Sequence, residues 1–174
     1  DMMVCLGDIC GYSPAYYRYA SKRDAPACLD LLREKCRIII PGNHDMHAAG
    51  KIPEHSAVFN FPHNWYQLSQ EEREKLSGKE LWLHHDDEET GWDGEAIAFI
   101  RSLPEYEVLD TPAGKIMFSH YAYPNLSGFS RGFYSWEKEF MKHLEFMESH
   151  SCTYGFTGHA HTRGFYTCTR KMFN

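Results

Sequence analysis

A single α/β domain is predicted by three observations. Within residues 2–40 a short apolar run, a capped helix-like segment and a second apolar run follow one another, and strand, helix, strand implies parallel pairing. Several apolar runs end in polar clusters rich in histidine and carboxylate, the place where open α/β sheets carry their sites. No internal repeat or low-complexity linker divides the 174 residues, a length that suits one domain with its own core.

The elements follow in order. Met2 to Leu6 reads as a buried strand, ended by Gly7-Asp8. After a polar, tyrosine-rich loop, Asp24 is placed to cap a helix begun by Ala25-Pro26, with Cys28, Leu31, Leu32 and Cys36 on its inner face. Arg37 to Ile40 is a second buried strand, and it stops at Pro41-Gly42-Asn43-His44-Asp45. Ser69 and Glu72 form a capping-box pattern, and Asp93 caps a further helix whose Ile97, Ile100 and Leu103 face inward until Pro104. Glu107–Leu109 and Lys115–Phe118 flank Thr111-Pro112-Ala113-Gly114 as a hairpin, with Ser119-His120 at its end. Ser135 opens a helix running to about Glu148. Thr153–Thr157 leads into Gly158-His159-Ala160-His161, and Gly164–Cys168 is strand-like.

Composition narrows the class. The net charge of -6, with no basic stripe, argues against a nucleic-acid backbone as partner. No apolar run approaches the roughly 20 residues of a membrane helix. The six cysteines are scattered without a C-x-x-C pair and read as reduced thiols of a cytoplasmic protein. In that compartment the Asn125-Leu126-Ser127 sequon carries no meaning. Eleven histidines is a high count, and several lie beside glycine, where imidazoles serve more often as ligands than as packing.

The chemistry rests on Asp8, Asn43 with His44 and Asp45, His120, and His159 with His161, each at a predicted strand end. If those strands share a sheet, the groups converge. Imidazole, carboxylate and amide without thiolate suit manganese, iron, zinc or a similar divalent ion.

Gly7-Asp8-Ile9-Cys10-Gly11 resembles the G-D-x-x-G motif of the calcineurin-like metallophosphoesterases, Gly42-Asn43-His44-Asp45 their G-N-H-D, and Gly158-His159-Ala160-His161 their G-H-x-H; His120 fits the single-histidine motif. The Gly11-Tyr12 ending is similar to the small bacterial phosphodiesterase branch. The resemblance spans nearly the whole chain and implies a metallophosphatase-type mixed β-sandwich flanked by helices. It also implies two divalent ions and hydrolysis of a phosphomonoester or phosphodiester by attack of a metal-bridging hydroxide. On this resemblance Asp8 bridges both ions, Asn43, His120 and His159 complete one site, and His161 serves the other. His44 is the general acid, with Asp45 orienting its ring.

One departure stands out. The family's D-x-H motif on the first strand has no counterpart here, so the second ion keeps only Asp8 and His161. The expectation is a domain, 1–174, cut at its N-terminus and also at its C-terminus. If D-x-H were truly absent, the alternative is a non-catalytic protein-binding scaffold of the same fold; a nuclease of the same superfamily fits the acidic surface less well.

Around this constellation, Arg163 and Arg131 are candidates to hold a phosphate oxygen, because a guanidinium fork matches phosphate. The aromatic loops from Tyr12 to Tyr19 and from Tyr121 to Tyr134 either wall a substrate pocket or cover the sheet edge. The run His84-His85-Asp86-Asp87-Glu88-Glu89 reads as a solvated acidic loop. His47, His55 and His63 follow the G-N-H-D turn; of these His47 is near enough to reach substrate, though surface polarity explains it equally.

Overall fold

The structure, a computed structural model, describes residues 2–14, 18, 20–56, 59–134 and 137–169. Strand β1 (Met3–Cys5) pairs in parallel with β2 (Cys36–Ile39), and α1 (Ala25–Lys35) is the crossover between them. Beyond β2 come three helices, α2 (Asn43–Ala49), α3 (Gln70–Ser77) and α4 (Gly94–Ser102). A second sheet has the order β3 (Tyr106–Thr111), β4 (Gly114–Ser119), β5 (Cys152–Thr157), and α5 (Met141–Ser149) precedes its last strand. β3 and β4 are antiparallel, whereas β4 and β5 are parallel. Two sheets with flanking helices in one α/β domain agree with the predicted fold class.

Local chemistry explains the boundaries. Asp24 Oδ1 accepts the Ala27 amide at 3.0 Å to open α1, and Asp93 Oδ1 accepts the Ala96 amide at 2.8 Å to open α4. Ser69 and Glu72 close a reciprocal capping box on α3, with Glu72 Oε2 2.8 Å from the Ser69 amide. The inner face of α1 differs from expectation. Leu29 is buried and Ala25 and Leu32 partly so, while Cys28 and Leu31 are exposed. The stripe at positions 25, 29, 32 and 36 repeats the helical period as well as the predicted one does, and the packing of Leu29 against Ala49 of α2 and Ile100 of α4 selects it. Gly164–Cys168 forms no strand, and Phe165 and Tyr166 are exposed. Ser135, the predicted cap of α5, lies outside the described residues.

Packing fixes the strand ends in space. Ile38, Ile40 and Phe118, with Val4, Leu6, Leu109 and Ile116 against them, form one apolar cluster shared by both sheets. A second cluster of Leu29, Ala49, Trp92 and Ile100 clamps α2 between α1 and α4. A third, around Met46, Trp65, Leu81, Leu83 and Phe129, packs the other side of α2. Burial of several large side chains at about 1.5–3 kcal/mol each makes α2 a fixed element, although it has only seven residues.

Candidate functional site

Strand register assembles the site. Cys5 pairs with Ile39, so Asp8 and Asn43 both lie just past the ends of their strands. Ser119 pairs with Thr157, and the Gly158 amide donates to the His120 carbonyl at 2.8 Å, which sets His159 beside His120. The two pairs meet through glycine. A side chain on Gly42 would overlap the Asp8 carboxylate and press on the His120 ring.

His120 is almost fully buried, and its Nδ1 donates to the Leu6 carbonyl at 2.5 Å. Its Nε2 then faces Asn43 Oδ1 at 3.1 Å, His159 Nδ1 at 3.1 Å and Asp8 Oδ2 at 3.3 Å. A neutral imidazole has one N–H, and Leu6 takes it, so the lone pair of Nε2 meets two oxygen acceptors. A cation among those atoms, a second proton or a metal ion, would satisfy all of them. His159 adds to it, because its Nε2 is buried with no protein partner. Ligand atoms of Asp8, His120 and His159 lie within 4.8 Å of one another. The donor set fits a divalent ion such as manganese, iron or zinc.

Electrostatics match this chemistry. Burial works to raise the Asp8 pKa, but the His120 hydrogen bond and the neighbouring imidazoles outweigh it and bring the group down to about 2. Burial and the His120 charge push His159 down to about 3, so it stays neutral and able to ligate at ordinary pH.

A second cluster adjoins the first. His44, on the first turn of α2, donates its backbone amide to Asp8 Oδ1 at 3.4 Å, and its Nδ1 lies 2.5 Å from Asp87 Oδ2. The His84 ring stands 4.4 Å from the His44 ring, centroid to centroid. Asn43 joins the clusters, with Oδ1 on His120 and Nδ2 3.1 Å from His84 Nε2. Gly11, at φ 108, lies against the His44 ring, and a side chain there would overlap it. For His44, burial disfavours the charged ring, but the Asp87 bond and the nearby carboxylates win, and its pKa is raised. A cavity of about 390 Å³ opens beside this pair, lined in part by Gly11, His47, Asp87 and Trp92.

Residues 1–163 match the calcineurin-like phosphoesterase family. The chain belongs to the calcineurin-like phosphoesterase family. Its two sheets and flanking helices are consistent with a metallophosphatase-like fold. No curated protein matches it. Among solved structures, the hypothetical protein PH1004 from Pyrococcus horikoshii OT3 is similar at 16% identity and a TM-score of 0.46. That alignment covers 90% of this chain and 55% of PH1004, so the chain spans about half of that protein's length. At that level the likeness adds nothing to the family assignment.

The structure corrects several predicted positions of this phosphoesterase-family chain. Asp45 does not orient His44. It is fully buried and spends its carboxylate on the backbone, accepting from Cys10 at 3.0 Å and from Gly42 at 2.9 Å. As the third residue of α2 it points back over the helix N-terminus, a capping geometry that turns it away from the ring. The ring's partner is Asp87, from the segment expected to be a solvated acidic loop. Within that segment His85, Asp86 and Glu89 are exposed as expected, but two residues turn inward: the His84 side chain is 4% exposed and that of Asp87 13%. Their placement comes from a turn bond, Asp87 amide to His84 carbonyl, and from the Glu88 amide bonding the Tyr12 carbonyl at 3.0 Å. No motif marks Asp87 in the sequence; the only available signal is two histidines and four acids in a row.

His161 is exposed and outside both clusters, although its charge is felt at His159. Arg163 is exposed beyond it. Tyr12 lies under the Arg23 guanidinium at 5.4 Å and reaches the 84–88 loop through its backbone. Arg131 is committed elsewhere: its Nε donates to the Leu81 carbonyl at 2.8 Å and its guanidinium lies over Trp82, so it braces that strand-like contact rather than the cluster. His47 packs between the Tyr66 and His84 rings, 5.9 and 5.2 Å away, so packing rather than surface polarity accounts for it. In the loop from Tyr121 to Tyr134, Tyr121 and Phe133 set tilted rings against that of His159, at 4.7 and 5.3 Å. Tyr16, Tyr17 and Tyr19 of the other aromatic loop lie outside the described residues.

Proposed function

We propose that this chain hydrolyses phosphate esters, monoesters or diesters, on divalent metal held by Asp8, Asn43, His120 and His159, with His44 as the proton donor. The observation that supports it most is the contact of Asp8 and Asn43 with both a metal-type donor cluster and the adjoining, partly buried group of His44, His84 and Asp87. A structural cluster has no use for the second half of that arrangement.

Each residue then has a task. Divalent metal bound there supplies Lewis-acid polarisation of the phosphoryl oxygens and acidifies water. On the family resemblance Asp8 would be shared with a second ion, to which exposed His161 would be a ligand. His44 commits Nδ1 to Asp87, which leaves Nε2 for the substrate. A ring with a raised pKa keeps its proton until the leaving oxygen needs it. The adjoining cavity would take the leaving group. Arg163 and Tyr12 are the remaining candidates for holding substrate. The site sits in a chain with no helix long and apolar enough to cross a membrane among the described residues.

The test is turnover of 4-nitrophenyl phosphate and bis(4-nitrophenyl) phosphate by manganese-loaded protein, with and without chelator. Chelator-sensitive release supports the reading, and the ratio of the two rates separates monoesterase from diesterase. Absence of release from either ester, with manganese bound, would favour the scaffold alternative.

A further inference from the structure

We infer that the His84–Asp87 loop is a positioning element with two separate duties: His84 sets the orientation of the Asn43 amide, and Asp87 sets the tautomer of His44. The inference deepens the proposed phosphoesterase reading and rests on it.

The Asn43 side chain can present either oxygen or NH2 to the metal-type cluster, and only the oxygen can ligate. In this structure Nδ2 is turned to His84. Nδ2 carries hydrogens and can only donate, so His84 Nε2, 3.1 Å away, must accept. His84 therefore carries its own proton on Nδ1, on the side of Asp87 Oδ2, 3.8 Å off. With Nδ2 held by His84, Oδ1 is directed at His120 Nε2 and the cluster. A side chain without an acceptor at position 84 would let the amide turn over.

Asp87 acts on the other imidazole. A carboxylate can only accept, so the contact at 2.5 Å places the His44 proton on Nδ1 and directs Nε2 away from the loop. One short turn, closed by the Asp87 amide on the His84 carbonyl, thus braces a ligand and a proton donor at once. His84 stands at φ 53, a left-handed conformation that a non-glycine residue keeps only where its surroundings hold it. The Asn43 bond and burial against the Phe129 ring at 5.7 Å do so.

The experiment is a manganese titration by calorimetry on the full chain, with variants checked by thermal melting. His84→Leu is expected to weaken manganese binding about 10- to 100-fold, as loss of an outer hydrogen bond does. His84→Gln, which restores an acceptor, should recover most of it. Asp87→Asn should leave manganese affinity within about twofold but shift the His44 ring toward a mixture of tautomers, read from its nitrogen NMR shifts. It should also lower kcat without raising KM.

Unchanged affinity in His84→Leu overturns the first duty, and an unchanged His44 tautomer overturns the second. Equal loss of affinity in both variants overturns the division of labour. If His84→Leu does not fold, His84→Gln against His84→Asn decides, since Asn is too short to reach Asn43. Affinity and tautomer do not depend on turnover. A wild type that binds manganese yet cleaves no ester would sink the function while leaving both duties measurable.

Discussion

His44 meets its carboxylate 43 positions downstream: its Nδ1 lies 2.5 Å from Asp87 Oδ2. The acid beside it in sequence, Asp45, is spent on the amides of Cys10 and Gly42. The two aspartates therefore make opposite predictions, one for catalysis and one for stability.

Changing His44 to Asn should leave manganese binding intact and reduce kcat by about 10²- to 10⁴-fold, the usual worth of a positioned proton donor. The loss should grow with the pKa of the leaving group. A set of aryl and alkyl phosphate esters, assayed beside metal content, measures both. Loss of metal together with activity would mean that His44 is a ligand.

Asp45→Ala removes the acceptor from two backbone amides, one of them buried. Each unsatisfied amide costs about 1–3 kcal/mol, so a destabilisation of about 2–6 kcal/mol is expected in urea unfolding. Asp87→Ala should cost far less, because it strips no buried amide of its acceptor.

Manganese should raise the thermal midpoint of the wild type, since an ion bound only to the folded chain adds about 2.7 kcal/mol at a hundredfold excess over Kd. Asp8→Asn should abolish most of that rise, because Asp8 contributes to the donor set through Oδ2 and touches the His44 amide through Oδ1. Calorimetric melts with graded manganese read the difference. An equal rise in the variant would remove Asp8 from the ligand set.

His143 predicts the response to acid. It is buried on α5, accepts the Tyr123 amide at Nδ1, 3.0 Å away, and burial drives its pKa from 6.5 down to about 4. The unfolded chain therefore binds more protons than the folded one between those values, and stability falls as pH drops through that window. The contribution is whole above about pH 6.5 and amounts to about 3 kcal/mol. His143→Gln, which keeps an acceptor without the charge, should flatten the dependence by that amount in urea melts from pH 4 to 8.

Much of this was legible in the sequence because it depends on local rules. Caps at Asp24, Ser69 and Asp93 announce their helices, and the order strand, helix, strand brings Asp8 near Asn43. What stayed hidden depends on tertiary choice. Two apolar stripes on α1 satisfy the same period, and tertiary packing against Ala49, Trp92 and Ile100 selects the one with Leu29. The G-N-H-D segment reads as a turn, yet Gly42 caps it and it becomes a helix whose third residue must turn its carboxylate to the backbone. Asp87 is reached through a loop whose charge pattern argues for solvent, and its inward course rests on a long-range bond to Tyr12.

Asp8, His84 and His159 of the site, and His161 just beyond it, hold left-handed backbone angles, with φ between 49 and 65. Each such residue forgoes about 1–3 kcal/mol relative to a comfortable conformation. A selection for heat resistance alone would therefore drift toward glycine or asparagine at these positions, and the survivors would be hardier proteins with no chemistry. The sites where this fold is most readily improved are the ones where improvement is most costly.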